Sequence, residues 1–346
     1  MIRFNQIQRK KLLSEINSPI LDDEFNSSMN QFGLECVNNN LAMAISGGSD
    51  SMALSVLLSR WSKNHSINLY ALIIDHCLRE ESRDEAFTVS KRLQDLKINN
   101  QILRWEKGKQ FKKISKSYQD DARQARLKLM SEWCKSNNIN TLFMGHHADD
   151  QLETFFYRLI RGSGVEGLSG MSSDINLHSL RIIRPLLNFP KSRLVETCKL
   201  YNLSWVEDPS NNDKKYLRVK IRKILNEFES EGFNTFRLHN TINHINRAKL
   251  AIDKSVFDAM DEIVSYDEDK VLKLNLEKFL VYPEEIILRT LSNILIKVSG
   301  KNYSPRFNSL ERLYEKIIDP KWSDRTLHGC KIIIQGKYLI ITKENY

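Results

Sequence analysis

The chain has 346 residues, 41% of them hydrophobic and 27% charged, which is enough for two or three domains with sizeable cores and is typical of globular proteins. Its formal net charge of +9 points to a polyanionic partner. No apolar run approaches the ~18 residues of a membrane span, and the N-terminus lacks the apolar core of a signal peptide.

The five cysteines are widely spaced and never form a C-x-x-C pair. This pattern predicts a reducing, cytoplasmic location without a disulfide framework or a cysteine zinc site.

Residues 1–40 are predicted to be a helical lead-in, and the most informative pattern of the chain follows them. Residues 41–45 form a continuous apolar run, which predicts a strand buried on both faces. A glycine-rich turn comes next, at residues 46–51. After it, apolar residues repeat with the spacing of one helix face, at Leu54, Leu57, Leu58 and Trp61.

The turn at residues 46–51 reads Ser-Gly-Gly-Ser-Asp-Ser. Adjacent glycines let backbone N–H groups approach a ligand, and the start of a helix attracts anions, so the turn is a candidate phosphate site. It lacks the lysine of the G-x-x-x-x-G-K-S/T loop and the spacing of G-x-G-x-x-G. The alternative is an ordinary turn in which Asp50 or Ser51 caps the helix. The order of residues resembles the pyrophosphate loop of the ATP pyrophosphatases, and we favour that interpretation.

Strands and helices alternate over the next part of the chain. Strands are predicted at 68–75, 101–105, 141–144 and 182–187, and helices at 79–96, 118–133, 191–203 and 216–228. This order predicts an α/β fold with a parallel sheet and helices on both faces. Ligands of such sheets bind beyond the carboxyl ends of the strands.

Histidines and carboxylates follow the predicted strand at 141–144. Asp150 and Glu153 fall on one face of the next helix, close enough to share a Mg²⁺ ion, which prefers one or two carboxylates together with substrate phosphates. The alternative is that both cap the helix. His146 and His147 are of the zinc-ligand type, but no third ligand follows at zinc spacing, which argues against zinc.

Two further groups of residues are candidates for substrate contacts. Asp75 and Arg79 follow the strand at 68–75, where they are predicted to face the nucleotide or the substrate, or simply to start a solvated helix. Arg158 and Arg161 precede a Gly/Ser segment and are predicted to neutralise charge in an adenylyl transition state, or to lie on a flexible helix exit.

Two basic stretches flank these motifs. Residues 104–128 include nine Lys or Arg and three acidic residues. Residues 214–223 include six basic residues and no acidic residue. Trp105, Phe111 and Tyr118 interleave with the first stretch. We predict an RNA-binding surface, although charge runs are often only solvated faces.

Beyond residue 235 the pattern changes. Long helical patterns at 241–264 and 284–298 and an alternating segment at 331–341 predict a mainly helical accessory region with a small β element. The predicted domains are therefore the lead-in at 1–40, a catalytic domain at 41–225 and an accessory, RNA-contacting region at 235–346.

The ordered set of motifs resembles the tRNA(Ile)-lysidine synthetase family of pyrophosphate-loop ATPases over residues 41–225. The matching segments are Ser-Gly-Gly-Ser-Asp-Ser at 46–51, His-His-Ala-Asp-Asp-Gln-Leu-Glu-Thr at 146–154, Arg-Gly-Ser-Gly at 161–164, Arg-Pro-Leu-Leu at 184–187 and Glu-Asp-Pro-Ser-Asn at 207–211. The region after residue 235 matches weakly and is short for the family.

The resemblance implies a Rossmann-like fold of the adenine nucleotide alpha hydrolase type and an RNA ligase. Such an enzyme uses ATP and Mg²⁺ to adenylate the carbonyl oxygen on C2 of the wobble cytidine in the CAU anticodon of tRNA(Ile). Free L-lysine then displaces AMP to give lysidine. The oligomeric state stays open, with a homodimer as one option.

The resemblance also implies roles for individual residues. Catalytic roles fall to Asp50, Arg126, Asp150 and Glu153, with Asp50 and Asp150 as Mg²⁺ ligands. The nucleotide is bound by Ser46, Gly47, Gly48, Ser49, Asp50, Ser51, Asp75 and His146. Substrate contacts are made by Arg79, Arg123, Arg158, Arg161, Arg184, Arg218 and Arg222.

Three other functions fit parts of this pattern. A tRNA thiolase of the same superfamily is disfavoured because C-x-x-C is missing. A small-molecule ligase of the same fold would not need the basic stretches. A non-catalytic RNA-binding protein would be expected to have lost the loop or the acids, and all of them are present.

Overall fold

The computed structural model describes residues 17–34, 40–77, 81–106, 118–177, 180–206, 217–230, 235–266, 271–301, 303–319 and 321–344. The chain divides into two compact units, residues 1–243 and 244–346. The functional domains at 41–225 and 235–346 remain predictions. No helix within the described ranges has the length and apolar character that crossing a membrane requires.

The first unit is built on a six-stranded sheet. Its strands are β1 (Asn40–Ile45), β2 (Asn68–Asp75), β3 (Asn99–Arg104), β4 (Thr141–Met144), β5 (Asp174–Leu177) and β6 (Leu180–Ile183). Their order across the sheet is β3-β2-β1-β4-β6-β5. The neighbouring strands β3, β2, β1, β4 and β6 pair in parallel. The edge strand β5 runs antiparallel to β6. The predicted parallel sheet is confirmed, with one antiparallel edge strand that the sequence pattern did not indicate.

Helices cover this sheet on both faces. They are α1 (Asp22–Asn30), α2 (Ser49–Asn64), α3 (Glu81–Asp95), α4 (Tyr118–Ser136), α5 (Ala148–Ile160), α6 (Val165–Leu168), α7 (Lys191–Leu200) and α8 (Leu217–Ser230), and α9 (Thr235–Ile263) passes from the first unit into the second. Adjacent strand residues point to opposite faces: Phe143 packs in the core with α2 and α7, and Leu142 packs with α4. This explains why the strands read as continuous apolar runs.

One predicted strand is too long. The apolar run at 182–187 predicts a strand through Leu187, but β6 ends at Ile183 and residues 185–188 form a turn. Pro185 has no backbone N–H to continue the parallel ladder, and it fixes its own φ angle. The other strands and helices predicted after residue 40 occur with small shifts of their ends, except that the helix predicted at 241–264 already begins at Thr235. Of the helical lead-in predicted at 1–40, residues 17–34 are described and contain α1, and the rest of it before Asn40 lies outside the described residues.

The second unit contains a five-stranded antiparallel sheet and three shorter helices. The strands are β7 (Val264–Tyr266), β8 (Leu272–Asn275), β9 (Arg325–Leu327), β10 (Cys330–Gln335) and β11 (Tyr338–Lys343), and the helices are α10 (Leu276–Phe279), α11 (Glu284–Ser299) and α12 (Phe307–Ile317). The strand order is β7-β8-β11-β10-β9. The predicted hairpin is confirmed as β10 and β11, but it belongs to a larger sheet whose three other strands are short.

The core of the first unit can be tested at Phe143. This side chain is fully buried in β4, so Phe143→Ala is expected to lower the free energy of unfolding by about 3–5 kcal/mol through lost burial and a cavity. Urea unfolding followed by circular dichroism measures the change. Phe87→Ala is the matched control because Phe87 is 66% exposed. Equal losses for the two variants would contradict this placement of the core.

Candidate active site

The glycine-rich turn connects β1 to α2 and is closed by one hydroxyl group. The Ser51 Oγ accepts hydrogen bonds from the backbone N–H groups of Ser46 at 3.2 Å and Gly47 at 3.1 Å, and donates to the Gly48 carbonyl at 3.0 Å. Gly48, and not Asp50 or Ser51, is the N-cap of α2. The first N–H groups of a helix have no carbonyl one turn earlier, so they are available to an anion at this end.

Gly47 is held from two sides. Its φ angle is +86°, in the left-handed region that favours glycine, and an added Cβ would meet Val89 Cγ2 of α3 at 2.4 Å. Its carbonyl accepts a hydrogen bond from the Val206 N–H at 2.9 Å. The loop conformation is therefore fixed by its own residues and by two other parts of the first unit.

Two carboxylates from different helices converge on one imidazole. His147 Nε2 lies 3.5 Å from Asp50 Oδ2 on α2 and 3.5 Å from Asp150 Oδ2 on α5. Burial lowers the pKa of His147, but its hydrogen bond to Asp50 and the charges of both carboxylates outweigh this and raise the pKa to about 9. Asp150 also accepts a hydrogen bond from the His147 backbone N–H at 3.0 Å. The charges of Asp50 and Asp150 thus favour the protonated form of His147.

A cavity of about 420 Å³ opens beside this pair, at the carboxyl ends of β1, β2 and β4. Its lining combines apolar and polar side chains. The apolar residues include Ala44, Ile73, Ile74, Met130 and Met144, and the polar residues include Ser46, Asp50, Ser51, Arg126, His146 and Asp150. This size and mixed lining suit a nucleotide, whose base is largely apolar and whose phosphates are charged. The cavity lies where the sequence predicts a ligand site, beyond the strand ends.

Positive charge accumulates around Arg126 and His146, which line the cavity. Burial lowers the pKa of Arg126, and the nearby Arg123 lowers it further. The same two causes lower the pKa of Arg184 to about 10. Burial and these three arginines hold the pKa of His146 well below its ordinary value. His146 Nδ1 and Arg126 Nε are buried without a hydrogen-bond partner among the described residues. An anion would satisfy both groups.

Glu153 has a different partner from the one expected. Its carboxylate is buried and lies 2.7 Å from both Nε and a terminal nitrogen of Arg222 on α8. Burial raises the pKa of Glu153 more than Arg222 lowers it. The structure therefore ties Glu153 to α8, while Asp50 and Asp150 share His147.

Some predicted residues lie away from the cavity lining. Asp75 is buried, accepts a hydrogen bond from the Cys77 N–H at 2.9 Å and lies 3.5 Å from Arg104 Nε. It is not among the residues that line the cavity. Trp105, which interleaves with the first basic stretch, is buried and packs edge-on against His76, so its side chain does not contribute to an exposed RNA-binding surface.

Arg158, Arg161 and Arg184 make contacts with other residues of the protein. Arg158 donates to the carbonyls of Gly167 at 2.7 Å and Gly170 at 2.8 Å, and Arg161 is exposed over the Tyr157 ring at 4.3 Å. Arg184 donates to the Ser172 carbonyl at 2.7 Å. Arg79, Phe111, the side chain of Tyr118 and the side chain of Arg218 lie outside the described part of the structure.

The sequence prediction missed two residues that contact Asp50. His147 was considered only as a zinc ligand, and Lys191 only as the first residue of a helix. Lys191 Nζ lies 3.7 Å from Asp50 Oδ2. The Pro-Lys order that begins α7 carries no local sign of this contact, because the partner belongs to a distant helix.

Comparison with known proteins identifies the family. A model of the PP-loop domain matches residues 21–228. The tRNA(Ile)-lysidine synthase of Wolbachia pipientis wMel is 39% identical over 311 residues, covering 89% of this chain and 71% of that protein. Those of Orientia tsutsugamushi and Rickettsia bellii are 33% and 35% identical and cover 94% and 93% of this chain and 74% and 73% of their own lengths.

A solved structure supports the fold independently. The U34-tRNA thiolase NcsA from Methanococcus maripaludis, with its 4Fe–4S cluster, superposes with a TM-score of 0.56 over 65% of this chain and 78% of that chain, at 18% identity. At this identity the similarity concerns the fold alone. The matched PP-loop domain and the relatives that cover most of the chain lead to one conclusion: this chain belongs to the tRNA(Ile)-lysidine synthase family of PP-loop proteins.

Proposed function

We propose that this chain ligates lysine to C2 of the wobble cytidine in the CAU anticodon of tRNA(Ile), at the expense of ATP. The observation that carries the proposal is the closed loop at residues 46–51, which lies beside the converging Asp50 and Asp150 at a nucleotide-sized cavity. The relatives named tRNA(Ile)-lysidine synthase supply the substrate class.

In the first step the cytidine carbonyl oxygen attacks the α-phosphorus of ATP. The bond between that phosphorus and the bridging oxygen breaks, and pyrophosphate leaves. The N–H groups at the start of α2 and the Arg126 guanidinium would bind phosphate oxygens and stabilise the charge on the departing group. The adenine would pack against the apolar side chains of the cavity.

Asp50 and Asp150 are suited to Mg²⁺. Among the described residues no three His, Cys, Asp or Glu are arranged to enclose a metal, whereas Mg²⁺ typically takes one or two carboxylates and completes its shell with phosphates and water. Two carboxylates that face the same point beside a phosphate loop fit that requirement. The ion would neutralise phosphate charge there.

In the second step the ε-amino group of lysine attacks C2 of the adenylated base. The carbon–nitrogen bond forms, the bond to the AMP oxygen breaks, and the amine loses a proton. Because only the neutral amine is a nucleophile, the site must deprotonate lysine and keep it oriented. We assign substrate contacts to Arg123, Arg184 and Arg222, and we expect the reaction in the cytoplasm, where tRNA is found.

Thiolation is the nearest alternative because a thiolase shares the fold. The five cysteines of this chain include no C-x-x-C pair, and Cys134, Cys198 and Cys330 are buried. We therefore retain the ligase.

The decisive experiment measures incorporation of labelled lysine into a tRNA(Ile) transcript with a CAU anticodon, with and without ATP. We expect incorporation that requires both ATP and the wobble cytidine. A transcript with uridine at the wobble position is the control. Release of pyrophosphate without incorporation would refute lysine as the nucleophile.

The proposed RNA surface includes α8. Lys220 and Lys223 are exposed there, whereas Arg222 is paired with Glu153 and is unsuitable for a surface test. Reversing Lys220 and Lys223 to Glu should weaken tRNA binding and reduce the slope of log K against log salt by about one for each lost phosphate contact.

Filter binding between about 50 and 200 mM salt measures both quantities. The matched control reverses Lys63 and Lys97, which are also exposed. Lys63 lies in the last turn of α2 and Lys97 follows α3, so both lie at the edge of the sheet opposite the carboxyl ends of the strands. Equal effects of the two double reversals would place the RNA surface elsewhere.

A further inference from the structure

The glycine-rich loop contains no lysine, yet the fold brings one to it. Residues 46–51 carry no positive side chain, unlike the phosphate loops in which a lysine follows the glycines. Lys191, the first residue of α7, places its Nζ 3.7 Å from Asp50 Oδ2. The ammonium group therefore lies next to the loop although it comes from a distant part of the chain.

The position of Lys191 is fixed by the packing of α7 against α2. Leu194 and Cys198 are fully buried in the same core cluster as Met52 and Leu57. Cys198 Sγ donates to the Ser49 carbonyl, in the first turn of α2, at 3.3 Å. The helix that carries Lys191 is thus anchored to the loop itself.

The start of α7 is also joined to the start of α5. The Ala148 N–H donates to the Phe189 carbonyl at 2.9 Å, and the Lys191 N–H approaches Asp149 Oδ1 at 3.4 Å. Two contacts on either side of Pro190 set the direction in which α7 begins. Lys191 is therefore positioned relative to both helices that carry the converging carboxylates.

Lys191 lies beside Asp50 at the surface of the site. Asp50 Oδ2 is 3.5 Å from His147 Nε2 and 3.7 Å from Lys191 Nζ. The Lys191 side chain is 43% exposed, so its ammonium group can turn towards a ligand while remaining near Asp50.

Lys191 and Arg126 serve different parts of the site. Arg126 lines the cavity, whereas Lys191 does not, although Asp50 contacts it and also lines the cavity. A nucleotide whose phosphates lie beside the loop would bring them to Asp50, which is 3.7 Å from Lys191 Nζ.

We propose that Lys191 binds the terminal phosphates of ATP and stabilises pyrophosphate as it leaves, so that α7 supplies the lysine which the loop lacks. This inference rests on the proposed function, because it assumes that ATP is cleaved at the α-phosphorus. When that bond breaks, negative charge grows on the departing pyrophosphate oxygens, and a neighbouring ammonium group stabilises it.

Binding of inorganic pyrophosphate with Mg²⁺, measured by calorimetry, tests the assignment without RNA or lysine. Lys191→Ala is expected to weaken binding at least about tenfold, the loss typical of one hydrogen bond to a charged group. Lys191→Arg should restore most of the affinity because it keeps the charge. Lys199→Ala is the matched control, since Lys199 lies on the same helix and pairs with Glu196 at the surface.

Catalysis gives a second readout. In Lys191→Ala the KM for ATP and the inhibition constant of pyrophosphate should rise together, while the thermal unfolding temperature stays near that of the wild type. Unchanged pyrophosphate affinity, failure of Arg to restore it, or an equal loss in Lys199→Ala would overturn the assignment. The Lys191 variants could change pyrophosphate binding as expected while the wild-type protein makes no lysidine. That outcome would refute only the proposed function.

Discussion

Replacement of Asp50 by Asn or Ala is expected to reduce ATP-dependent lysidine formation by about 10³-fold, on the order of 4 kcal/mol in the barrier. Asp50 is the point where three groups meet: His147 at 3.5 Å, Lys191 at 3.7 Å and the Ser49 hydroxyl, which donates at 3.1 Å. Asn keeps the shape of the side chain but removes the charge that we propose for Mg²⁺. It also leaves the cations of His147 and Lys191 without their shared anion.

The measurement is pyrophosphate release from ATP in the presence of the tRNA(Ile) transcript and lysine. Asp23→Asn is the control, because Asp23 is an exposed acid on α1. The tRNA affinity of the Asp50 variants should stay near that of the wild type, which would separate a catalytic defect from misfolding. Their unfolding temperature should fall, because the buried His147 loses one of its two carboxylate partners. A variant that still releases pyrophosphate at the wild-type rate would remove Asp50 from the chemistry.

Gly47→Ala is expected to raise the KM for ATP at least about tenfold and to lower kcat/KM by about 100-fold. The backbone at Gly47 has φ +86°, and the new Cβ would meet Val89 Cγ2 at 2.4 Å. The strain costs about 1–2 kcal/mol, and relief of the contact would move the loop. A displacement near 1 Å in a reacting geometry can cost about 100-fold in rate.

Two variants separate the effect of backbone strain at Gly47 from the effect of the contact with Val89. Gly33→Ala has a similar φ of +58° but no atom within 4 Å of the new Cβ, so it should lose some stability and keep the KM for ATP. Combining Gly47→Ala with Val89→Ala removes the contact but not the strain, and should recover part of the activity. If Gly33→Ala and Gly47→Ala raised the KM equally, the loop geometry would not be the cause.

Local pattern was enough to predict the sheet and the loop. The apolar runs of β1, β2 and β4 follow from burial on two faces, and the order Ser-Gly-Gly-Ser-Asp-Ser follows from a backbone turn that must approach an anion. Family membership could also be read from the ordered motifs, because each motif is a contiguous segment.

Local pattern failed in two places. The apolar run at 182–187 predicted too long a strand, although Pro185 within the run ends the ladder. Trp105 lies in a basic stretch and suggested an RNA contact, but it packs inside against His76. The sequence shows that Trp105 lies near charged residues, but it does not show whether the side chain is buried.

The sequence by itself determined the anion loop, the alternation of strands and helices and the family of this protein, because all of these are written in neighbouring residues. Only the tertiary structure decided the partners inside the site: His147 between Asp50 and Asp150, Arg222 on Glu153, and Lys191 beside the loop. Each of these contacts, apart from that of His147 with Asp150, joins residues of different elements. Their distances are set by how α2, α5, α7 and α8 pack, and helix periodicity in one segment carries no record of the segment it meets.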